Sequence, residues 1–448
     1  MLRPSQRRLL CLAFLAPLST AHAGDLMNLY TLAQQQDQTL QAAMHQRDAS
    51  VEAHPQALAA LLPQISGTAE IDRNRQHLLS GYSSTASTTS SSPSDTAYYN
   101  NKTWGLNLAQ TVFNWPAFQT LAKSDLQVAQ AQATYRAAEQ DLIYRVADAY
   151  FSVLNAQDTL RADMDAQTAY KRQLDEAQKK FEVGLAAITD VRNAQASYDS
   201  AAATVIVDQR ALDSARRTLG QIVGQHMPEV AQLQDELPLI APTPDNEDAW
   251  VKAAAEDNPT LISYRYAAEA AQKDVRIARS QWLPSVAIVG SAGRQIQDYT
   301  TGQDVINDSI GLQMNWKIFQ GGLVASQTRQ ASASYEQAEA QYEGQRRAAD
   351  QSARDAFEGV RSGIASVKAS QQAVVSNQTS LEATKVGLKV GTRTEVDVLN
   401  AQQALAAAQR TYYQSRYDYL RSVLALKQSA GRLSEPDLEQ IDQMLLTR

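Results

Sequence analysis

The sequence predicts an α+β membrane protein in which four β-strands per chain join a barrel and very long helices extend away from it. Three observations favour this class: the chain repeats itself, four short segments alternate apolar and polar residues, and two long stretches have helix-forming composition. Strands that alternate in this way have one apolar and one polar face, as membrane-barrel strands do. Helices longer than a bilayer is thick must lie mostly outside it.

The internal repeat is visible in two pairs of similar segments. FEVGLAAITDVRNAQ at 181–195 matches LKVGTRTEVDVLNAQ at 388–402, and LNLAQTVFNWPA at 106–117 matches LQMNWKIFQGGL at 312–323. Each pair is separated by roughly 200 residues, which indicates a tandem duplication of one structural unit. We expect two repeats and a C-terminal tail, at 24–230, 231–433 and 434–448.

The first 23 residues have the features of a secretory signal peptide. Basic residues precede the apolar run LLCLAFLAPL, and Ala21-His22-Ala23 is a small-residue cleavage pattern. A membrane anchor is the alternative, but about ten apolar residues are too few to span a bilayer. Cleavage after Ala23 would remove Cys11, the single cysteine, so the mature chain would have neither a disulfide nor a thiol.

The expected mature chain is acidic. Without Arg3, Arg7 and Arg8 the 41 lysines and arginines fall to 38, against 48 aspartates and glutamates, a net charge of −10. An acidic exported protein is a poor match for nucleic acid. No later stretch approaches about 18 uninterrupted apolar residues, so the sequence predicts no transmembrane helix. A chain that crosses a membrane without helices must do so with strands closed into a barrel.

Each repeat is predicted to combine short strands with a long helix and a return helix. In the first strand Ile65, Gly67 and Ala69 alternate with polar residues. The stretch 117–183 has neither Gly nor Pro and would be about 100 Å long as a helix. The first repeat is expected to have a helix at 25–60, strands at 64–73 and 99–113, and helices at 117–183 and 189–224. The second is expected to have helices at 245–256 and 259–281, strands at 285–296 and 306–318, and helices at 322–390 and 395–431.

Four strands cannot enclose a lumen, because the smallest barrels use about eight. Several chains must therefore contribute, and three copies would supply twelve strands. A soluble half-buried sheet has the same alternation, but the expected signal and the aromatic residues Trp104, Trp115 and Trp316 near strand ends favour a membrane. The long helices then pair with the return helices as antiparallel coiled coils.

Three segments carry a resemblance to a known family. KFEVGLAAITDVRNAQASYD (180–199), VGTRTEVDVLNA (390–401) and AYFSVLNAQD (149–158) are similar to the outer-membrane efflux proteins, in particular the TolC-like members. The resemblance implies a homotrimer with a twelve-stranded barrel in the lipid of the cell outer membrane and a helical tunnel in the periplasm. It also implies an exit duct for a tripartite efflux pump or type I secretion, which meets an inner-membrane transporter through a periplasmic adaptor and uses no cofactor.

The resemblance assigns a role to the two hairpin turns. Gly184 and Gly391 each follow a long helix, where glycine permits the positive φ of a helix end. In the family these turns lie at the periplasmic end of the tunnel. Gly184, Leu185, Gly391 and Thr392 are therefore expected to contact the adaptor.

A latch is implied beside the turns. By resemblance, Arg393 hydrogen-bonds around Thr189 and Asp190 of another hairpin and holds the tunnel closed; a solvated surface arginine is the alternative. The family has a tyrosine three residues before the second turn glycine, where this chain has Leu388. One hydrogen bond of the latch is then missing, and we expect a less firmly held closed state.

Asp397 is the expected selectivity residue. Its simplest role is that of a carboxylate at a helix N-terminus, stabilised by the helix dipole. In a trimer it would form a ring of three like charges, which favours cations and raises the pKa of each member. TolC-like channels have a second acidic ring three residues on, where this chain has Asn400, so we expect weaker block by divalent cations. Glu395 lies two residues before Asp397, so on a helix its side chain points in a different direction from the expected ring.

The sequence contains no recognisable enzyme site. The four later histidines lack metal-site spacing, and no serine nucleophile elbow, phosphate-binding loop or Gly-rich dinucleotide turn is present. Without a nucleotide motif, export would be driven by the partner pump. Two other classes remain open: a periplasmic coiled-coil adaptor or scaffold, which needs no amphipathic strands, and a surface adhesin, supported only by the Ser/Thr-rich segment 79–97.

Overall fold

The computed structural model describes residues 26–77, 96–226, 228–234, 236–298 and 303–446. The expected signal peptide and nearly all of the Ser/Thr-rich segment lie outside the described residues. The elements are α1 (Leu26–Gln36), α2 (Gln38–Val51), α3 (Ala53–Ala59), β1 (Gln64–His77), β2 (Thr96–Phe113), α4 (Trp115–Glu182), α5 (Ile188–Val223), α6 (Glu247–Asp257), α7 (Pro259–Ser280), β3 (Ser285–Gln297), β4 (Gln303–Asn315), α8 (Leu323–Lys389), α9 (Glu395–Ser429) and α10 (Glu435–Asp442).

The chain forms two compact units. One comprises residues 42–138 and 251–352 and contains all four strands; we call it the sheet unit. The other comprises residues up to 41, 139–250 and 353–448 and contains the hairpin turns; we call it the helical unit.

The sheet is antiparallel, with strand order β1-β2-β3-β4. Ile65 pairs with Leu108, Leu108 with Gly290, and Gly290 with Ile310, which gives one apolar row across all four strands. The adjacent row is polar, with members Ser66, Asn107, Ser291 and Ser309. Since successive side chains point to opposite faces of a strand, the sheet has an apolar and a polar face.

The apolar face is open to solvent in the isolated chain: Ile65 is 73% and Ile310 is 80% exposed. These two residues lie on β1 and β4, the outer strands of the sheet. Within the part of the chain that the structure describes, no further strand pairs with their outer edges.

The fourth strand ends earlier than expected. It was predicted to reach 318, but pairing with β3 stops at Asn315, opposite Ser285. The residue before Ser285 is Pro284, which has no backbone N–H to donate to the next position of the ladder. Trp316 lies just beyond, where its indole N–H donates to the carbonyl of Trp282 at 3.1 Å.

The N-terminal helix is divided, which corrects the expectation of one continuous helix over 25–60. The break between α1 and α2 lies at Asp37, whose carboxylate accepts a hydrogen bond from the backbone N–H of Leu40 at 2.7 Å. The same carboxylate accepts two hydrogen bonds from Arg145 on α4, both at 3.0 Å. This cap holds Asp37 outside the helix.

The core of the helical unit is aromatic where α4 meets α9. Phe151 and Tyr417 stack with ring centroids 6.3 Å apart, and both are buried. The Tyr417 hydroxyl donates to Asp158 at 2.5 Å, and burial raises the pKa of Tyr417 above the usual range.

The C-terminal tail also belongs to the helical unit. Its helix α10 has buried residues, and Leu445, which follows α10, forms an isolated bridge with Leu233.

None of the helices that the structure describes has both the length and the apolarity required to cross a membrane.

Candidate gate at the helical turns

The first hairpin turn joins α4 to α5. The N–H of Leu185 donates to the carbonyl of Lys180 at 2.7 Å, and the N–H of Gly184 donates to that of Phe181 at 2.9 Å. These are the two hydrogen bonds of a Schellman motif, and Gly184 has the positive φ of 75° that the motif requires.

The second turn joins α8 to α9 by the same motif. Thr392 donates to Gly387 at 2.9 Å and Gly391 to Leu388 at 3.1 Å, and φ of Gly391 is 80°. A Cβ added at either turn glycine would meet no atom within 4 Å, so backbone conformation alone explains these two glycines. The two turns therefore have the same local structure.

The return helices begin differently. At α9 Thr394 is the N-cap: its hydroxyl accepts from the N–H of Asp397 at 3.2 Å, while the Asp397 carboxylate accepts from the N–H and hydroxyl of Thr394 at 2.8 and 2.9 Å. At α5 the N-cap is Ala187, which has no side-chain acceptor, and only the Asp190 carboxylate accepts from its N–H, at 3.3 Å. The start of α9 is thus the better capped.

The cap also sets the ionisation of Asp397 within one chain. The hydrogen bond from the Thr394 backbone, then that from its hydroxyl, and last the charge of Arg393 hold the pKa of the Asp397 carboxyl below its usual range. Each of these interactions favours the ionised form. Within one chain the cap therefore favours the ionised carboxylate of Asp397.

Most of the other expected gate residues are accessible. Thr189, Arg393 and Asn400 are exposed, and Asp190 is half-buried. Among the described residues, no hydrogen bond or ion pair joins Arg393 to Thr189 or Asp190 of the same chain. The structure thus places Arg393 beside Asp397 but does not bring the latch residues together within one chain.

Leu388, which stands where the family has a tyrosine, packs against apolar side chains of its own hairpin. It is half-buried and packs against the cluster of Leu381, Val398 and Leu405 between α8 and α9. Its contribution is therefore apolar packing inside the second hairpin.

A contact between the hairpins was not expected from the sequence. Glu395, in the first turn of α9, is 8% exposed, and Gln173 on α4 donates a hydrogen bond to its carboxylate. Beside it Lys180 forms an ion pair with Glu176 at 2.7 Å, and this hydrogen bond, aided by the charge of Glu395, raises the pKa of Lys180. No motif could predict the Gln173–Glu395 contact, because the two residues lie 222 positions apart.

The comparisons with known proteins identify the family. The family model described as "Outer membrane efflux protein" matches residues 29–225 and 250–432. The chain belongs to the outer membrane efflux protein family. It is 33% identical to the outer membrane protein TolC of Vibrio cholerae, over 96% of both chains. It is 30% identical to the alkaline protease secretion protein AprF of Pseudomonas aeruginosa, covering 94% of this chain and 87% of AprF.

The fold of this efflux-family chain is that of solved channels. The outer membrane channel CmeC of Campylobacter jejuni superimposes with a TM-score of 0.78 at 19% identity, covering 94% of this chain and 90% of CmeC. The expected family, the outer-membrane location and the role in efflux or secretion are thereby confirmed. The family is one of transport channels rather than enzymes. These findings favour a duct over the scaffold and adhesin alternatives.

Proposed function

We propose that this efflux-family protein is the homotrimeric exit duct of a tripartite efflux pump or a type I secretion system, gated at its helical turns. The observation that carries the proposal is the sheet, whose exposed apolar face is suited to lipid. Its outer strands, β1 and β4, have no partner beyond the sheet within the described chain. Open edges of this kind are not tolerated inside a bilayer, because each unpaired backbone group there costs several kcal/mol.

Other copies of the chain would close these edges. If β1 of one copy pairs with β4 of the next, three copies form a twelve-stranded barrel, well above the minimum of about eight strands. The polar rows through Asn107 and Ser291 would then face the lumen. Each internal repeat would contribute two strands and one helical hairpin of each copy.

The exposed turns support a periplasmic docking surface. Val183, Leu185 and Val390 flank the turn glycines and are 69%, 78% and 69% exposed. Apolar side chains grouped at helix ends favour association with a partner, here the adaptor that links the duct to its transporter. The similarity to AprF, named for protease secretion, favours protein export as well as efflux.

The gate would form between copies. Arg393 is exposed and free of ion pairs among the described residues, so its guanidinium is available to Thr189 and Asp190 of another hairpin. A charge-assisted hydrogen bond of this type contributes about 1.5–3 kcal/mol when shielded and less in water. One helical turn after Arg393, the Asp397 side chains of three copies would form the cation-selective ring. Asn400 occupies the position at which a second acidic ring would otherwise lie.

Disulfide cross-linking tests the assembly, because the single natural cysteine lies in the expected signal peptide. One cysteine replaces Thr68 on β1. In a series of variants, a second cysteine replaces each residue of Gln303–Asn315 on β4 in turn. The proposal predicts a covalent trimer in outer-membrane fractions at matching positions of β4. The same scan along β3, whose two edges are both occupied, is the control. Cross-links that stop at dimers, or a soluble periplasmic protein, would contradict the proposal.

A further inference from the structure

Three charged side chains meet inside the helical unit, away from the turns. Asp163 on α4 is 4% exposed, and its Oδ1 accepts a hydrogen bond from Arg410 on α9 at 2.7 Å. Asp208 lies on α5, which packs against the same stretch of α4 through Ala201, and Asp163 acts directly on its carboxyl group. Two carboxyl groups thus face a single guanidinium.

One oxygen of each carboxyl group has no hydrogen-bond donor among the described residues. Oδ2 of Asp163 and Oδ2 of Asp208 are both buried, and neither accepts a hydrogen bond from a described donor. Two ionised carboxylates can only accept, so they cannot bond to each other. A single proton held between the two carboxyl groups would supply a donor that both of them lack.

Burial and the neighbouring charges favour the protonated form of Asp208. Burial, then the hydrogen bond and charge of Asp163, raises the pKa of Asp208 to about 6, against the opposing effect of Arg410. The cavity beside the cluster, about 320 Å³, is lined from α4, α5 and α9. Among its described lining residues Asp163 and Arg410 are the charged ones and Tyr170 is the other titratable group, and burial raises the pKa of Tyr170.

We propose that Asp163 and Asp208 share one proton that fastens α5 to α4 in mildly acidic solution, and that loss of this proton loosens the first hairpin. The three residues lie about 20 positions from the turns, or about 30 Å along the helices, so the device is separate from the proposed latch. It is a property of the hairpin and does not depend on the duct being correctly assigned.

The direction of the pH effect follows from the raised pKa. Between the ordinary pKa of an aspartate, near 4, and about 6, the closed junction binds more protons than the opened one. The stabilisation is complete below this window and is lost as the pH rises through it. The opening equilibrium constant should therefore increase by up to about 100-fold between pH 4 and pH 7.

Infrared spectroscopy of the full protein in detergent reads the proton directly. A carbonyl band of a protonated carboxyl should titrate with a midpoint near pH 6 in the wild type and disappear in Asp208→Asn. It should persist in Asp199→Asn, which removes an exposed aspartate of the same helix. At pH 7.5, hydrogen exchange of α5 amides near 208 should be slower in Asp208→Asn than in the wild type, because the new amide donates to Asp163 at every pH.

Either result can overturn the proposal. If the wild type has no carboxyl band that titrates above pH 5, the shared proton does not exist. This result comes from the wild type alone, so it does not depend on whether any variant folds. If the band is present but α5 exchange shows the same pH dependence in the wild type and Asp208→Asn, the proton does not fasten the hairpin.

Discussion

Gln173 on α4 donates a hydrogen bond to the buried carboxylate of Glu395 at the start of α9. This contact joins the α4–α5 hairpin to the α8–α9 hairpin close to their turns within one chain. It is well placed to influence the gate, because Glu395 follows the capped turn that carries Arg393 and precedes Asp397 by two residues.

We expect Gln173→Ala to loosen the two hairpins from each other. The substitution leaves a buried carboxylate without one of its donors, which costs about 1–3 kcal/mol. Hydrogen exchange of the first α9 amides should become faster, and channel conductance should rise. Gln178→Ala is the matched control, because Gln178 is exposed on the same helix. Equal exchange in both variants would show that the contact is not structural.

Gly387→Ala should displace Arg393 without removing its charge. A Cβ at Gly387 would lie 2.7 Å from Cγ of Arg393 and 3.2 Å from Oγ1 of Thr392. One of these groups must move, while alanine itself favours the helix. We predict a conductance close to that of Arg393→Ala. Gly344→Ala in the same helix, where a Cβ meets nothing within 4 Å, should leave conductance unchanged.

Asn400→Asp should strengthen block of the channel by divalent cations. The change places an acidic residue at the exposed position 400, one helical turn after Asp397, and three copies would form two rings instead of one. The measurement is current through a planar bilayer as Mg²⁺ is added on the periplasmic side. Unchanged block would count against a selectivity ring at this level. Asp199→Asn is a control for the effect of altered surface charge elsewhere on the hairpins.

The start of α9 should become less stable in acid. Because the pKa of Asp397 is lowered in the folded chain, its stabilising effect is present above the ordinary aspartate pKa and is lost as the pH falls through the lowered value. Amide exchange at 395–399, corrected for its intrinsic pH dependence, should show this loss in the wild type. In Asp397→Asn the start of the helix should be less protected at neutral pH and insensitive to acid. Identical profiles would contradict the role of the cap.

The regular parts of the fold could be predicted because their cause is local. Alternation predicts each strand, the Gly-free and Pro-free stretch predicts α4, and the turn glycines end α4 and α8 where expected. The division of the first helix could not be predicted, because Asp37 stops α1 with the help of Arg145, 108 positions away. The end of β4 depends on Pro284 of its neighbour, which becomes informative only once the register is known.

The candidate site was predictable only in part for the same reason. The hydrogen bonds from the N–H of Ala187 to Asp190 and from the N–H of Thr394 to Asp397 join residues three positions apart. The Gln173–Glu395 contact and the Asp163–Asp208–Arg410 cluster join different helices, so no spacing along the chain could indicate them. The latch between copies remains a prediction.

Single-channel conductance of the purified protein in a planar bilayer tests the central claim most directly. We predict a small, cation-favouring conductance for the wild type that rises in Arg393→Ala. It should not change in Arg361→Ala, which removes an exposed arginine of α8 whose contacts, an ion pair with Glu358 at 3.5 Å and the ring of Phe357, lie within the same helix. Absence of channel activity from a folded preparation would contradict the duct. A wild-type conductance equal to that of Arg393→Ala would contradict the latch and leave the duct in place.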